Sequence, residues 1–187
     1  VRAAAALALG EQGAPEAFPA LRLGLADSQP ETVQACQQAL TRAGQPPSPG
    51  LAAAAAAILA ERWEEAAVVG QEAVPLLLRV LGESGLDRRT LERRAKAARL
   101  LGRIGAPETL PALLGALTAP SEAIQAAVIR ALGQLGREEI RPQLLPFATA
   151  GSPSLRAAAV EALAALGVEP VLGLLDRAMK DPAIEVR

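Results

Sequence analysis

Residues Ile124–Gly136 read IQAAVIRALGQLG, and four other stretches of the chain carry the same phrase. They are Val1–Gly13 (VRAAAALALGEQG), Thr32–Gly44 (TVQACQQALTRAG), Arg93–Gly105 (RRAKAARLLGRIG) and Leu155–Gly167 (LRAAAVEALAALG). The closing glycines stand at 13, 44, 105, 136 and 167, so neighbours are 31 residues apart except across one gap of 61. A period of this length marks a repeat architecture, in which one small supersecondary unit is copied and stacked.

The phrase itself has a helical period. Its ninth position is always leucine (Leu9, Leu40, Leu101, Leu132, Leu163), and its fifth is small or β-branched (Ala5, Cys36, Ala97, Val128, Ala159). Positions one, five, eight, nine and twelve fall on one face at 3.6 residues per turn. The thirteenth-position glycine suits a left-handed C-cap. Eight residues beyond it another leucine returns, as Leu21, Leu113, Leu144 and Leu175, and a proline precedes three of these as Pro19, Pro111 and Pro142. Proline is tolerated in the first turn of a helix, so a second helix is expected to begin near each. Glu16, Glu72, Glu108 and Glu139 recur in one column and are expected in the first turn of each second helix, where a carboxylate favours the helix dipole. Each unit is therefore expected to be an antiparallel helix pair that completes its core only by stacking on its neighbours.

Composition agrees. Hydrophobic residues make up 51% of the 187, yet aromatics only 2%, so the apolar bulk is aliphatic and favours helices. The net charge of −1 creates no general attraction for nucleic acid or an acidic membrane. No apolar run is long enough to span a bilayer, so no membrane insertion is expected. Cys36 is the only cysteine, which excludes an internal disulfide. Set among apolar neighbours with no histidine to activate it, it reads as an inert core thiol and fits a reducing, cytoplasmic setting.

These residues resemble the short HEAT-like repeats of phycobilisome lyase subunits. The shared signature is an Asp, a Val-Arg pair, then small residues ending in Ala-Leu-Gly-x-x-Gly, seen here in VRAAAALALGEQG and in the terminal DPAIEVR. The likeness covers most of residues 1–45 and 86–187, and it implies a right-handed all-α solenoid running as one array through residues 1–187. It further implies a ladder in which Arg2, Arg94, Arg156 and Arg187 match the family's Arg, and Asp27 and Asp181 its Asp. Ala119 and Ala150 occupy the Asp position elsewhere, so a broken ladder is expected. Tetratricopeptide repeats need recurring aromatics, whereas this chain has only Trp63, Phe18 and Phe147. Because the motif is cut at Val1 and begins again at Val186–Arg187, the natural array is expected to extend further at both ends.

Residues 45–92 leave the register. Gln45–Gly50 (QPPSPG) reads as a rigid loop. Leu51–Val68 contains no Gly or Pro and is expected to form one long helix. Glu72–Glu83 resembles a second helix, with Pro75 and Leu77 matching Pro19 and Leu21. Two helices would then occupy the place of three, forming an irregular seam that lacks one. Trp63 lies in it, as a packing residue or as a partner-binding hot spot.

No catalytic, cofactor-binding or metal-binding residue is expected. Without histidine there is no Ser-His-Asp or Cys-His system, and a lone cysteine cannot build a zinc cluster. Phosphate-loop glycine patterns are absent. The pairs Glu64–Glu65 and Glu138–Glu139 are adjacent in sequence and diverge on a helix. The sequence instead offers candidate contact residues. Over residues 88–103, Arg89, Arg93, Lys96 and Arg103 project as one stripe at 100° per residue, a solvated face or a contact for an acidic partner. The second helix near Pro107–Ala119 has only Glu108 as a charge, which singles out Ala112 and Gly115 on a surface suited to a partner segment. A non-catalytic scaffold binding another protein is the leading expectation. A glycosylase-like nucleic-acid binder using the basic helix is the first alternative, and a chromophore lyase subunit, suggested by the repeat's namesake, is the second.

Overall fold

Every copy of the repeated phrase is a helix, and the phrase ends where its glycine turns the chain. The computed structural model describes residues 1–167 and 172–187, and the chain divides into two units, Val1–Val80 and Leu81–Arg187. The first unit contains α1 (Arg2–Gln12), α2 (Phe18–Gly24), α3 (Pro30–Arg42), α4 (Pro49–Leu59), α5 (Trp63–Val69) and α6 (Val74–Leu81), whose last residue opens the second. There follow α7 (Arg88–Ile104), α8 (Leu110–Ala116), α9 (Glu122–Leu135), α10 (Arg141–Ala150), α11 (Pro153–Ala165) and α12 (Leu172–Ala178). No strand occurs among the described residues. The class is all-α, and it is built by repetition.

Stacking runs through the first helix of each pair. In the first unit α1 packs on α3, and in the second α7 packs on α9 and α9 on α11. Leu40, Leu101, Leu132 and Leu163 are completely buried in these contacts. Leu9, in α1, is only half-buried, and Ala5 beside it is exposed. The second helices start where their prolines allow: Pro19, Pro75, Pro111 and Pro142 are each the second residue of α2, α6, α8 and α10. A short 3-10 turn carrying Glu16, Glu72, Glu108 or Glu139 leads into each.

Glycine serves two separate purposes here. Gly13, Gly44, Gly105 and Gly136 have φ of 62°, 69°, 71° and 67°, and open space lies where a Cβ would be. Their constraint is conformational, since a Cβ is strained in the left-handed region. Gly10, Gly102 and Gly133 are helical and have no such space. A Cβ on Gly102 would stand 2.5 Å from the Cα of Ala131, and one on Gly133 would stand 2.6 Å from that of Ala162. The glycine of each Ala-Leu-Gly triplet thus lets neighbouring first helices approach backbone to backbone, against the eighth-position alanine of the next copy.

The Arg–Asp ladder is present as isolated rungs. Arg2 pairs with Asp27 at 2.9 Å. Arg156 donates to both carboxylate oxygens of Asp181, at 2.8 and 2.7 Å. Between them Arg94 donates to the Leu81 carbonyl and Gln125 to the Leu117 carbonyl, both at 3.0 Å. Where alanine replaces the Asp, the long side chain caps a carbonyl of the preceding helix end instead.

Residues 45–92 differ from the sequence expectation in two ways. Leu51–Val68 is not one helix: α4 ends and α5 begins afresh at Trp63. Glu61 takes φ 57°, the Glu61 N–H donates to the Ile58 carbonyl, and the Arg62 N–H donates to the Ala57 carbonyl at 2.8 Å. That is the helix-ending pattern normally closed by glycine, here with glutamate in the left-handed position. As a result α4, α5 and α6 fill the segment, and no helix is missing from it. The proline-rich loop is also shorter than its composition suggests, because Pro49 and Gly50 already belong to α4, with Ser48 accepting the Leu51 N–H as its cap.

Candidate partner-binding surface

The basic residues of α7 do not form a single exposed stripe. Arg89 and Arg103 are exposed and Lys96 is half-buried, but Arg93 retains only 2% exposure. It stands at position one of the repeat, in the column of Thr32, Ile124 and Leu155, all of them buried. Its guanidinium reaches Glu83 at 3.1 Å inside the second unit. The stacking register outranks the charge pattern here: position one is buried in the copies that begin at Thr32, Arg93, Ile124 and Leu155, whether the residue is polar, charged or apolar, and only Val1, at the start of the chain, is exposed. A buried guanidinium requires a carboxylate, and Glu83 supplies it. Arg88 is paired with Glu92 one turn along at 2.7 Å, which lowers the Glu92 carboxyl below its ordinary value. Arg94 is held by the Leu81 carbonyl.

Trp63 opens α5 and is 8% exposed. Its indole packs within the first unit, so a direct contact with a partner would require the ring to leave that environment. Ala112 and Gly115 lie on the exposed side of α8, and nothing stands within 4 Å of where a Gly115 Cβ would be. Cys36 is buried, and burial followed by the nearby Asp27 charge pushes its thiol pKa up. That thiol stays protonated at neutral pH and is a poor nucleophile.

The two helices of the α7–α8 pair expose different chemistry. Every exposed residue of α7 is charged: Arg88, Arg89, Glu92, Arg99 and Arg103. On α8 the exposed residues are Pro111, Ala112 and Gly115. On α10 Gln143, Leu145, Pro146 and Thr149 are among them, and none is ionised. Leu145 keeps 42% of its surface in solvent. The sequence pointed to α8 through its low charge, but α10 was harder to find. Its exposed face is interrupted by Pro146 inside the helix, which hides the helical period. No described helix is long and apolar enough to cross a membrane.

Comparison with known proteins agrees with this geometry. The family described as HEAT repeats matches residues 86–148 and 114–187, together more than half of the chain. The family described as PBS lyase HEAT-like repeat matches residues 1–27. No curated protein matches the chain in sequence.

Proposed function

Because this chain belongs to the HEAT-repeat family, whose stacked helix pairs generally serve protein–protein interaction, we propose that it is a non-catalytic scaffold that holds another protein. The observation carrying this reading is the division of surface chemistry in the second unit. Charged residues keep α7 solvated, while α8 and α10 leave proline, alanine, glycine, leucine and threonine exposed without an ionised group among them. Such a surface has little desolvation cost, and small residues allow a partner backbone to approach closely. Ala112, Gly115 and Leu145 are the residues assigned to the contact.

The test is capture of a partner from cells of the source organism, followed by direct titration with that partner purified. Gly115→Asp and Leu145→Glu should each weaken binding without moving the thermal melt. Binding that survives both substitutions but disappears in an Arg89→Ala, Arg103→Ala double variant would place the contact on α7. Salt-sensitive binding of duplex DNA lost in that double variant would favour the nucleic-acid alternative.

A further inference from the structure

In the first unit, α2, α4, α6 and the turns leading into them border a concavity of about 450 Å³. Its apolar lining comes from Pro19, Leu23, Leu51, Pro75 and Leu76. Leu76 is fully buried and forms the floor, while Leu23 keeps 39% of its surface exposed at the edge. The volume lies within the range that takes a few side chains of a bound ligand, roughly 300–1,000 Å³.

Two ionised groups border this space, and they are not equivalent. Glu72 accepts a hydrogen bond from the Ser48 hydroxyl, and its carboxylate occupies the room that Gly50 leaves by lacking a Cβ. Its carboxylate is thereby held at the N-terminal turn of α4, where the helix dipole favours a negative charge. Arg22 is exposed, with no carboxylate in ion-pair range among the described residues. The concavity thus presents an apolar floor and one guanidinium available to an incoming anion.

We propose that this concavity docks a short peptide segment of the partner protein in which apolar side chains flank an Asp or Glu. The apolar side chains fill the space between Leu23, Leu51 and Leu76, and the carboxylate pairs with Arg22, whose planar fork donates two parallel hydrogen bonds to its oxygens. A basic segment is disfavoured, because the one acidic group present is already engaged by Ser48 and the start of α4. The proposal rests on the scaffold reading above and adds the class of segment that is recognised.

The test uses the intact 187-residue chain as bait for a phage-displayed library of random peptides, then titrates an enriched peptide carrying a fluorescent label. Enriched sequences should place Asp or Glu beside Leu, Ile, Val or Phe. Leu23→Glu should abolish binding. Arg22→Glu should weaken it about tenfold, lose its salt dependence and shift selection toward Lys or Arg peptides. Arg99→Ala, at an exposed position of α7 in the other unit, should leave the affinity unchanged. Should Leu23→Glu fail to fold, the surface substitution Arg22→Glu carries the test alone. Failure to enrich any peptide, or enrichment without a carboxylate preference and with Arg22→Glu neutral, overturns the proposal. Peptides displaced by Gly115→Asp but not by the first-unit variants overturn it too, while leaving the scaffold reading standing.

Discussion

Gly133 and Ala162 meet backbone to backbone: a Cβ on Gly133 would stand 2.6 Å from the Ala162 Cα and 2.7 Å from its Cβ. The contact is between α9 and α11, and Gly102 makes the same one with Ala131 between α7 and α9. Gly133→Ala should force the helices apart and cost about 1–3 kcal/mol, the usual penalty for overpacking. Gly136→Ala, three residues on, has open space around it and should cost about 1–2 kcal/mol through left-handed strain alone. Urea denaturation of the two variants measures this. A Gly133→Ala variant as stable as the parent would show that the helices can yield.

Leu132 is completely buried between stacked helices. Leu132→Ala should therefore lose about 2–5 kcal/mol. Leu9→Ala, at the equivalent position in α1, should lose less, because Leu9 is only half-buried. Equal losses at both positions would contradict the burial pattern.

Arg93 and Arg89 lie one turn apart on α7 yet sit in opposite environments. Arg93→Ala removes the guanidinium facing Glu83 and leaves a poorly solvated carboxylate, which should destabilise by about 3 kcal/mol. Arg89→Ala changes an exposed residue and should stay within about 0.5 kcal/mol. Thermal melts of the two single variants separate a core arginine from a surface one.

Acid should weaken the Arg156–Asp181 rung. The Asp181 carboxylate accepts two bonds from Arg156 and a third from the Ala183 N–H, which hold its carboxyl pKa below the ordinary value of 3.8. A depressed folded pKa contributes stability above the unfolded value, and that contribution is lost as pH falls through the folded one. Asp181→Asn should lower Tm at pH 7, with the difference from the parent shrinking below pH 4. A difference unchanged down to pH 2 would remove ionisation from the explanation.

Glu61 occupies a conformation that glycine adopts without strain. Glu61→Gly should raise stability by about 0.5–1 kcal/mol. Glu61→Val should lower it, since a β-branched residue is penalised most at positive φ. Chemical denaturation midpoints with unchanged m-values would confirm that the effect is local.

Much of the fold was legible because burial in a repeat is periodic. The ninth-position leucines, the closing glycines and the first-turn prolines each recur at a fixed spacing, and each has a local physical reason to stand there. The α8 surface was legible in the same way, through an absence of charge along one helix. Residues 45–92 were not, because the turn between α4 and α5 uses a glutamate where composition leads one to look for glycine. Arg93 was misplaced for a related reason: its helical angle puts it beside Arg89 and Lys96, but only the stack of α7 on α9 decides which side of that helix is covered.

Local preference, read along the chain, determined that there are helices, roughly where they begin and end, and that they come in pairs. Tertiary packing decided which charges are buried, that Gly10, Gly102 and Gly133 are contact residues, and that Pro19, Leu23, Leu51 and Pro75 converge on one concavity. Helical period is a property of neighbours in sequence, whereas burial and convergence depend on residues in other helices and turns, and those distances are set only when the pairs stack.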